Sequence, residues 1–262
     1  MEPAASRADT DAIGAEIRRA VTLLCEPGGV YELRILHTRR GTAVGYFDDL
    51  DKLAAAAKTW DGKAPAVYVL PNPCAPTLLA RANNRVVEYA KHTAADADIV
   101  RRRRLPIDID AVRPAGISST NAEHDAALAV AREARGWLIE HGMPSDSVLS
   151  GDSGNGGHLV GYIDLPNDAA STELCQRVLL ALDRRFSTET VHVDLTTYNA
   201  ARIWKLYGTM VRKGDALPPD RPHRRARLLE VPEGSRVRTA EHSSSLRNVR
   251  WTRRMTATRP RT

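Results

Sequence analysis

The sequence predicts a mixed fold of helices and strands, and three observations predict it. Helix-period apolar spacing recurs in segments of sixteen residues or so, and short runs between them alternate apolar with polar residues. From residue 105 to 195 the two kinds follow one another as strand, helix, strand, helix, strand. At 262 residues the chain can bury a sizeable core, as one large domain or two fused sub-domains. No stretch approaches 18 apolar residues, and the N-terminus MEPAASRADTDAIG is acidic and polar. Neither a membrane span nor a signal peptide is expected.

Each element has its own signal. Residues 9–24 read as a helix, with Ile13, Ile17, Val21 and Leu24 on one face. Residues 31–36 and 42–47 read as strands around a turn at Arg39-Arg40-Gly41. The alanine-rich stretch 51–58 is helical, and 66–70 is a strand ended by Pro71. Arg101, Arg102, Arg103 and Arg104 then lead into the strand Leu105-Pro106-Ile107-Asp108-Ile109-Asp110. Thr120-Asn121-Ala122-Glu123 is a capping-box pattern. It opens a helix with Ala126, Val130, Ala134, Trp137 and Leu138 on one face, ended by Gly142. Ser153-Gly154-Asn155-Gly156-Gly157-His158 precedes an apolar strand at 159–165; a helix at 172–186 and the strand Val191-His192-Val193-Asp194-Leu195 follow.

Three of these motifs carry chemistry. In the 105–110 strand the two carboxylates share one face while Ile107 and Ile109 face the core. That spacing lets Asp108 and Asp110 address a shared pair of hard cations, which in two-metal sites lie roughly 3.5–4 Å apart. In the glycine run, backbone amides of Ser153, Gly154, Asn155 and Gly156 are free to approach an anion, and His158 can donate to a phosphate oxygen. The same residues also read as a flexible turn with a surface histidine. It is neither a Walker A loop nor a Rossmann fingerprint, since no GK[ST] follows and a strand comes next. The third motif ends in Asp194 and is followed by Asn199-Ala200-Ala201-Arg202-Ile203-Trp204-Lys205 and then Arg212-Lys213-Gly214. Only six of the 38 basic residues are lysines, and two of them fall here. Arg202, Lys205, Arg212 and Lys213 are candidate phosphate contacts, and a solvated edge strand is the plainer alternative. Arg101, Arg102, Arg103 and Arg104 read equally as a nucleic-acid clamp or as a solvated strand entrance.

DxD, then S-G-x-G-x-H, then a hydrophobic residue followed by Asp, in that order, resembles the archaeo-eukaryotic primase superfamily. Within it the resemblance is to the bifunctional primase–polymerase domains of plasmids, phages and other mobile elements. It covers roughly residues 30–231 and includes Gly45-Tyr46-Phe47-Asp48-Asp49, Asn72-Pro73 with Leu78-Leu79-Ala80-Arg81, Arg113-Pro114-Ala115-Gly116, and Arg221-Pro222-His223-Arg224. It implies an α+β fold: an antiparallel, RRM-like palm sheet backed by helices at about 101–231, with an N-terminal α/β unit at about 9–100 beside it. Together these make a catalytic domain of residues 1–234. The resemblance further implies a template-directed nucleotidyltransferase acting in replication of a mobile element or in repair. Asp108, Asp110 and Asp194 would hold two Mg²⁺ or Mn²⁺ ions, and His158 the triphosphate of an incoming dNTP or NTP. A single-stranded or primed DNA template is the expected partner, with room for a helicase on a separate chain.

The net charge is +6, and the arginine-rich segment 235–262 supplies more than all of it. That segment is expected to be a basic, disordered tail, and such tails often bind nucleic acid. Cys25, Cys74 and Cys175 are odd in number and without CxxC spacing, so neither a disulfide framework nor a zinc site is expected. A reducing cytoplasm suits that usage. Two other classes remain open at this point. One is a non-catalytic module binding single-stranded nucleic acid or a replication partner. The other is a DxD glycosyltransferase using Mn²⁺ and a nucleotide-sugar, which leaves Asp194 and His158 without a joint purpose.

Overall fold

Two antiparallel sheets of five strands share one hydrophobic core in the computed structural model, which describes residues 6–231. The segment 235–262 lies outside the described residues. In chain order the elements are α1 (Arg7–Leu24), β1 (Tyr31–Thr38), β2 (Gly41–Phe47), α2 (Leu50–Trp60), β3 (Val67–Val69), β4 (Val86–Val87) and β5 (Arg101–Ala111). There follow α3 (Asn121–Glu140), β6 (Val148–Asp152), β7 (Gly156–Pro166), α4 (Ala169–Phe186), β8 (Val191–Val193), β9 (Trp204–Lys205), β10 (Met210–Val211), β11 (Arg224–Arg225) and β12 (Arg227–Glu230). The first sheet runs β4-β2-β1-β3-β9 and the second β12-β6-β7-β5-β8, with β10-β11 as a separate ribbon. Antiparallel sheets with helices packed on them make this an α+β fold, the expected class.

The boundaries follow local chemistry. α1 begins two residues before the apolar period suggests, because Ser6 and Asp9 form a reciprocal capping box. The box expected at Thr120 and Glu123 is present and starts α3. α4 starts at Ala169 rather than 172, because the Asp168 side chain accepts from Ser171 N–H at 2.7 Å. β7 begins inside the glycine run, since Gly156 and Gly157 pair with Asp110 and Ile109. The four arginines are themselves part of β5 rather than a lead-in to it.

Three apolar clusters set the layers. One face of the second sheet, with Ile107, Ile109, Leu159 and Ile163, packs on α3 and α4. Its other face, with Leu149 and Val160, joins α1, α2 and the inner face of the first sheet, including Leu33, Ile35 and Val69. Val44, Tyr46 and Leu70 lead a third cluster beneath Leu78 and Ile99. Burying each such aliphatic side chain contributes about 1.5–3 kcal/mol.

The start of β5 is held by one buried amide. Asn72 Oδ1 accepts from Arg103 N–H (2.7 Å) and Arg104 N–H (2.8 Å). Its Nδ2 donates to Ala200 O (3.0 Å) and to Arg104 O (3.4 Å). Asn72→Ala strands these buried backbone groups, each costing about 1–3 kcal/mol when unsatisfied. Urea unfolding of Asn72→Ala is expected to show a loss of about 2–4 kcal/mol, and a loss under about 0.5 kcal/mol would refute the clamp.

Candidate active site

The second sheet lines up the motif residues by register alone. Asp108 on β5 lies opposite His158 on β7, and His158 lies opposite Gly151 on β6. On the other side the β5–β8 ladder runs one step beyond β8, with Asp194 N–H donating to Asp108 O at 2.9 Å. Residues directly opposite on antiparallel strands share a face. Asp194, Asp108 and His158 therefore form one row across three strands. Asp110 sits in the next row between His192 and Gly156. Ile107 and Ile109, fully buried on the opposite face, fix which way the carboxylates point.

Asp108 is the electrostatic centre. Burial, then the neighbouring charge of Asp110 and further off that of Asp194, push its carboxyl up to about 7, against the pull of Lys205 and Lys213. Its Oδ1 is buried and makes no hydrogen bond. Asp110 Oδ1 has the Arg113 guanidinium at 3.5 Å. Asp194 Oδ1 is turned to the N–H and hydroxyl of Thr196, both at 2.7 Å. Among the described residues no three His, Cys, Asp or Glu side chains close round a point as a finished metal site. The donor set nevertheless suits divalent ions. The three side chains are hard-oxygen ligands, and Asp108 carries an oxygen with no proton donor.

His158 is covered rather than open. Its ring stacks on Trp204 with centroids 3.7 Å apart, and it is 1% exposed. Trp204 Nε1–H donates to Tyr207 Oη at 3.0 Å, and Tyr207 Oη lies 3.3 Å from His158 Nδ1. An indole only donates, so the phenol accepts from Trp204 and keeps its own proton available to Nδ1. The ring's Nε2 is 3.4 Å from the unpartnered Asp108 Oδ1. Burial, then the charge of Lys205, holds the imidazole neutral, well below its usual range. Where the sequence suggests a histidine open to phosphate, the structure closes its ring off from solvent beside a carboxylate. Nothing local in the sequence signals the cover. The ring of Tyr207 stands over Gly151, where a Cβ would lie 2.3 Å from it.

The glycine run is a support for β7. Ser153 N–H donates to Gly156 O (2.9 Å), Gly154 N–H to Asp152 Oδ1 (2.6 Å) and Asn155 N–H to Ser153 Oγ (3.3 Å). Asn155 Oδ1 in turn accepts from the N–H of Ser119 at 3.1 Å. Three amides expected to face an anion are thus engaged internally. Asp152 anchors the turn and is fully buried, with His124 Nε2 at 2.9 Å. Burial works to raise its pKa, but the bond and charge of His124 and the Gly154 amide hold the carboxyl below its usual range. Neither Asp152 nor His124 stands out in the sequence.

The basic candidates divide. Lys205 is buried and Lys213 exposed, and the charges of both act on the Asp108 carboxylate. Arg202 Nη2 donates to Thr196 Oγ1 at 2.5 Å, which ties it to Asp194. Arg212 turns away, donating to Gly62 O at 3.1 Å. A register slip between Arg102 and Arg104 sends the four β5 arginines to internal partners. Arg102 bonds Tyr198 O (2.6 Å) and Thr172 Oγ1 (2.7 Å); Arg104 bonds Glu26 (2.9 Å) and lies over the Tyr162 ring. Both are buried; Arg101 and Arg103 pair with Asp164.

No protein-family model matches the sequence, and no curated protein does. Among solved structures the chain is similar to the polymerase domain of Mycobacterium tuberculosis ligase D in complex with DNA, at 18% identity and a TM-score of 0.44 over 89% of each chain. It is similar to the AEP domain of the cyanophage S-2L primase-polymerase, at 14% identity and 0.42, over 87% of this chain and 92% of that one. The primase RepB′ matches at 14% and 0.42 over 91% of this chain, which spans 60% of that chain. Each is by name a primase or polymerase, the kind of protein the motifs resemble. At these values the likeness carries no argument about chemistry, which rests on the side chains.

Proposed function

We propose that the chain is a metal-dependent, template-directed nucleotidyltransferase, a DNA primase or polymerase. One observation carries the reading. Asp108, Asp110 and Asp194 come together on adjacent strands, and the central carboxylate keeps a buried oxygen without a partner. A fold does not hold three acids together without a cation to take up their charge, except at a cost, and such perturbed groups cluster at functional sites. The order of the motifs along the chain supports the same class.

Asp108, Asp110 and Asp194 would hold two Mg²⁺ or Mn²⁺ ions. When bound, such ions acidify a primer 3′-hydroxyl and neutralise the leaving pyrophosphate. The rest is positioning, which is most of what the protein contributes in phosphoryl transfer. Ile107 and Ile109 lock the strand so that both its acids face the cleft. The His158 ring, held between Trp204 and Tyr207, walls the site 3.4 Å from Asp108 Oδ1. Lys205 supplies a desolvated positive charge beside it, and Lys213 a solvated one at the rim.

Metal-dependent incorporation of a labelled nucleotide on a primed DNA template tests the reading; no incorporation with either Mg²⁺ or Mn²⁺ would overturn it. Binding alone gives a second measurement. An ion held by the folded state stabilises it by about 2.7 kcal/mol at a hundred times its dissociation constant. Mn²⁺ is expected to raise the melting temperature of the parent and to have little effect on Asp108→Asn. Equal shifts in the two proteins would place the ion elsewhere.

A further inference from the structure

Asp194 follows the last residue of β8, the edge strand of the second sheet, so no strand beyond it fixes the carboxylate. Its backbone is tied on both sides. The N–H donates to Asp108 O at 2.9 Å, and the carbonyl accepts from Thr197 Oγ1 at 3.2 Å. The side chain is held by different means. Both the N–H and the hydroxyl of Thr196 donate to Asp194 Oδ1, each at 2.7 Å, and Arg202 Nη2 donates to Thr196 Oγ1 at 2.5 Å. Proton counting gives this chain one direction. A guanidinium only donates, so Thr196 Oγ1 accepts from Arg202 and spends its single proton on Asp194.

Arg202 is itself presented by a pinned turn. Its N–H donates to Asn199 O at 3.3 Å, and Asp96 Oδ1 accepts from Ala201 N–H at 2.7 Å and from Asn199 Nδ2 at 3.4 Å. Arg202 Nε is buried without a partner, and among the described residues the guanidinium meets no carboxylate directly. The arrangement separates charge from ligation. An arginine paired directly with Asp194 would tend to take both carboxylate oxygens and compete with a cation for them. Here the positive charge reaches Asp194 through a hydroxyl and at Oδ1 alone. Oδ2 takes no hydrogen bond from the described residues.

We propose that Thr196 and Arg202 are positioning residues for Asp194, fixing its carboxylate so that Oδ2 is left for a divalent cation. The inference rests on the metal-binding part of the nucleotidyltransferase reading. It gives Arg202 a task other than the phosphate contact that its charge suggests. Outer partners that orient a metal ligand typically account for about 10–100-fold in metal affinity.

Mn²⁺ titration of the full chain, followed by electron paramagnetic resonance of the free ion without nucleotide or DNA, tests the chain apart from catalysis. Thr196→Val keeps the backbone N–H and the shape but loses the hydroxyl. It is expected to weaken Mn²⁺ about tenfold or more, while Thr196→Ser retains the affinity. Thr196 is exposed, so metal-free melts of Thr196→Val should match the parent. Arg202→Met should also weaken Mn²⁺. The double variant should be no worse than Thr196→Val, because Arg202 acts through the hydroxyl. Parent-like Mn²⁺ affinity in Thr196→Val or in Arg202→Met overturns the proposal, as do losses that simply add. Those results would leave the metal reading standing, whereas a parent that binds no Mn²⁺ sinks both. A parent that binds Mn²⁺ through this chain yet incorporates no nucleotide supports the positioning role and sinks the polymerase reading.

Discussion

Asp108→Asn is expected to abolish nucleotide transfer while making the metal-free protein more stable at neutral pH. The activity loss follows from removing the charge at the centre of the site. Metal ions supply several kcal/mol of transition-state stabilisation, so transfer should fall about 10³-fold or more. The stability gain follows from the raised Asp108 pKa of about 7, against an ordinary value of 3.8. Below the ordinary value both states hold the proton, and Asp108 carries no penalty. As pH rises from there the unfolded chain ionises first, and the folded state loses stability until its own carboxyl ionises near 7. Above that the penalty is complete, on the order of 2–4 kcal/mol. Asparagine never ionises and escapes it. Melts of parent and variant in chelator between pH 4 and 8 should diverge as pH rises. A variant no more stable than the parent at pH 8 would show that the Asp108 charge is already neutralised within the fold. Asp110→Asn and Asp194→Asn should likewise abolish primer extension, and near-normal extension by either would remove that residue from the site.

Gly156→Ala should damage stability and activity together. A Cβ there would lie 2.4 Å from Ile109 O and 3.2 Å from Asp110 Oδ1. The first of these is backbone and cannot swing aside, so β5 and β7 must part where Asp108 faces His158. Overpacking of this kind costs about 1–3 kcal/mol. Transfer should fall far more than that stability loss explains, because ligand positions matter to a fraction of an ångström. Gly136→Ala is the matched control, since it lies within α3 and nothing comes within 4 Å of its added Cβ. It should stabilise by about 0.5–1 kcal/mol and leave activity alone. Equal behaviour of the two variants would mean that the β5–β7 approach is not tight.

Much of the scaffold was legible because it rests on local rules. The period-two burial of Ile107 and Ile109 is written in the sequence, so the shared face of Asp108 and Asp110 could be read directly. Thr120 and Glu123 announce α3 in the same way. That Asp194 comes beside Asp108 is a matter of sheet order, which alternation alone does not give. The four arginines of β5 show the limit. Adjacent like charges look like a solvated surface or a ligand clamp. Glu26 and Asp164, more than sixty residues away in sequence, take three of them instead. Trp204 and Tyr207 were invisible for a related reason. Their placement over His158 depends on β9 joining a sheet whose other strands end at Val87.

That attachment has a further meaning for how the molecule could be divided. Trp204 is paired in backbone register with Val69 of the first sheet, while its ring covers His158 of the second. The histidine's lid is thus carried by one sheet and used by the other. A gene fragment encoding only 101–231 would include the tryptophan but not the strand that presents it. The second sheet is therefore no transplantable cassette. A chimera that swaps in a foreign N-terminal half must supply a counterpart of Val67–Val69, or His158 is left open to water.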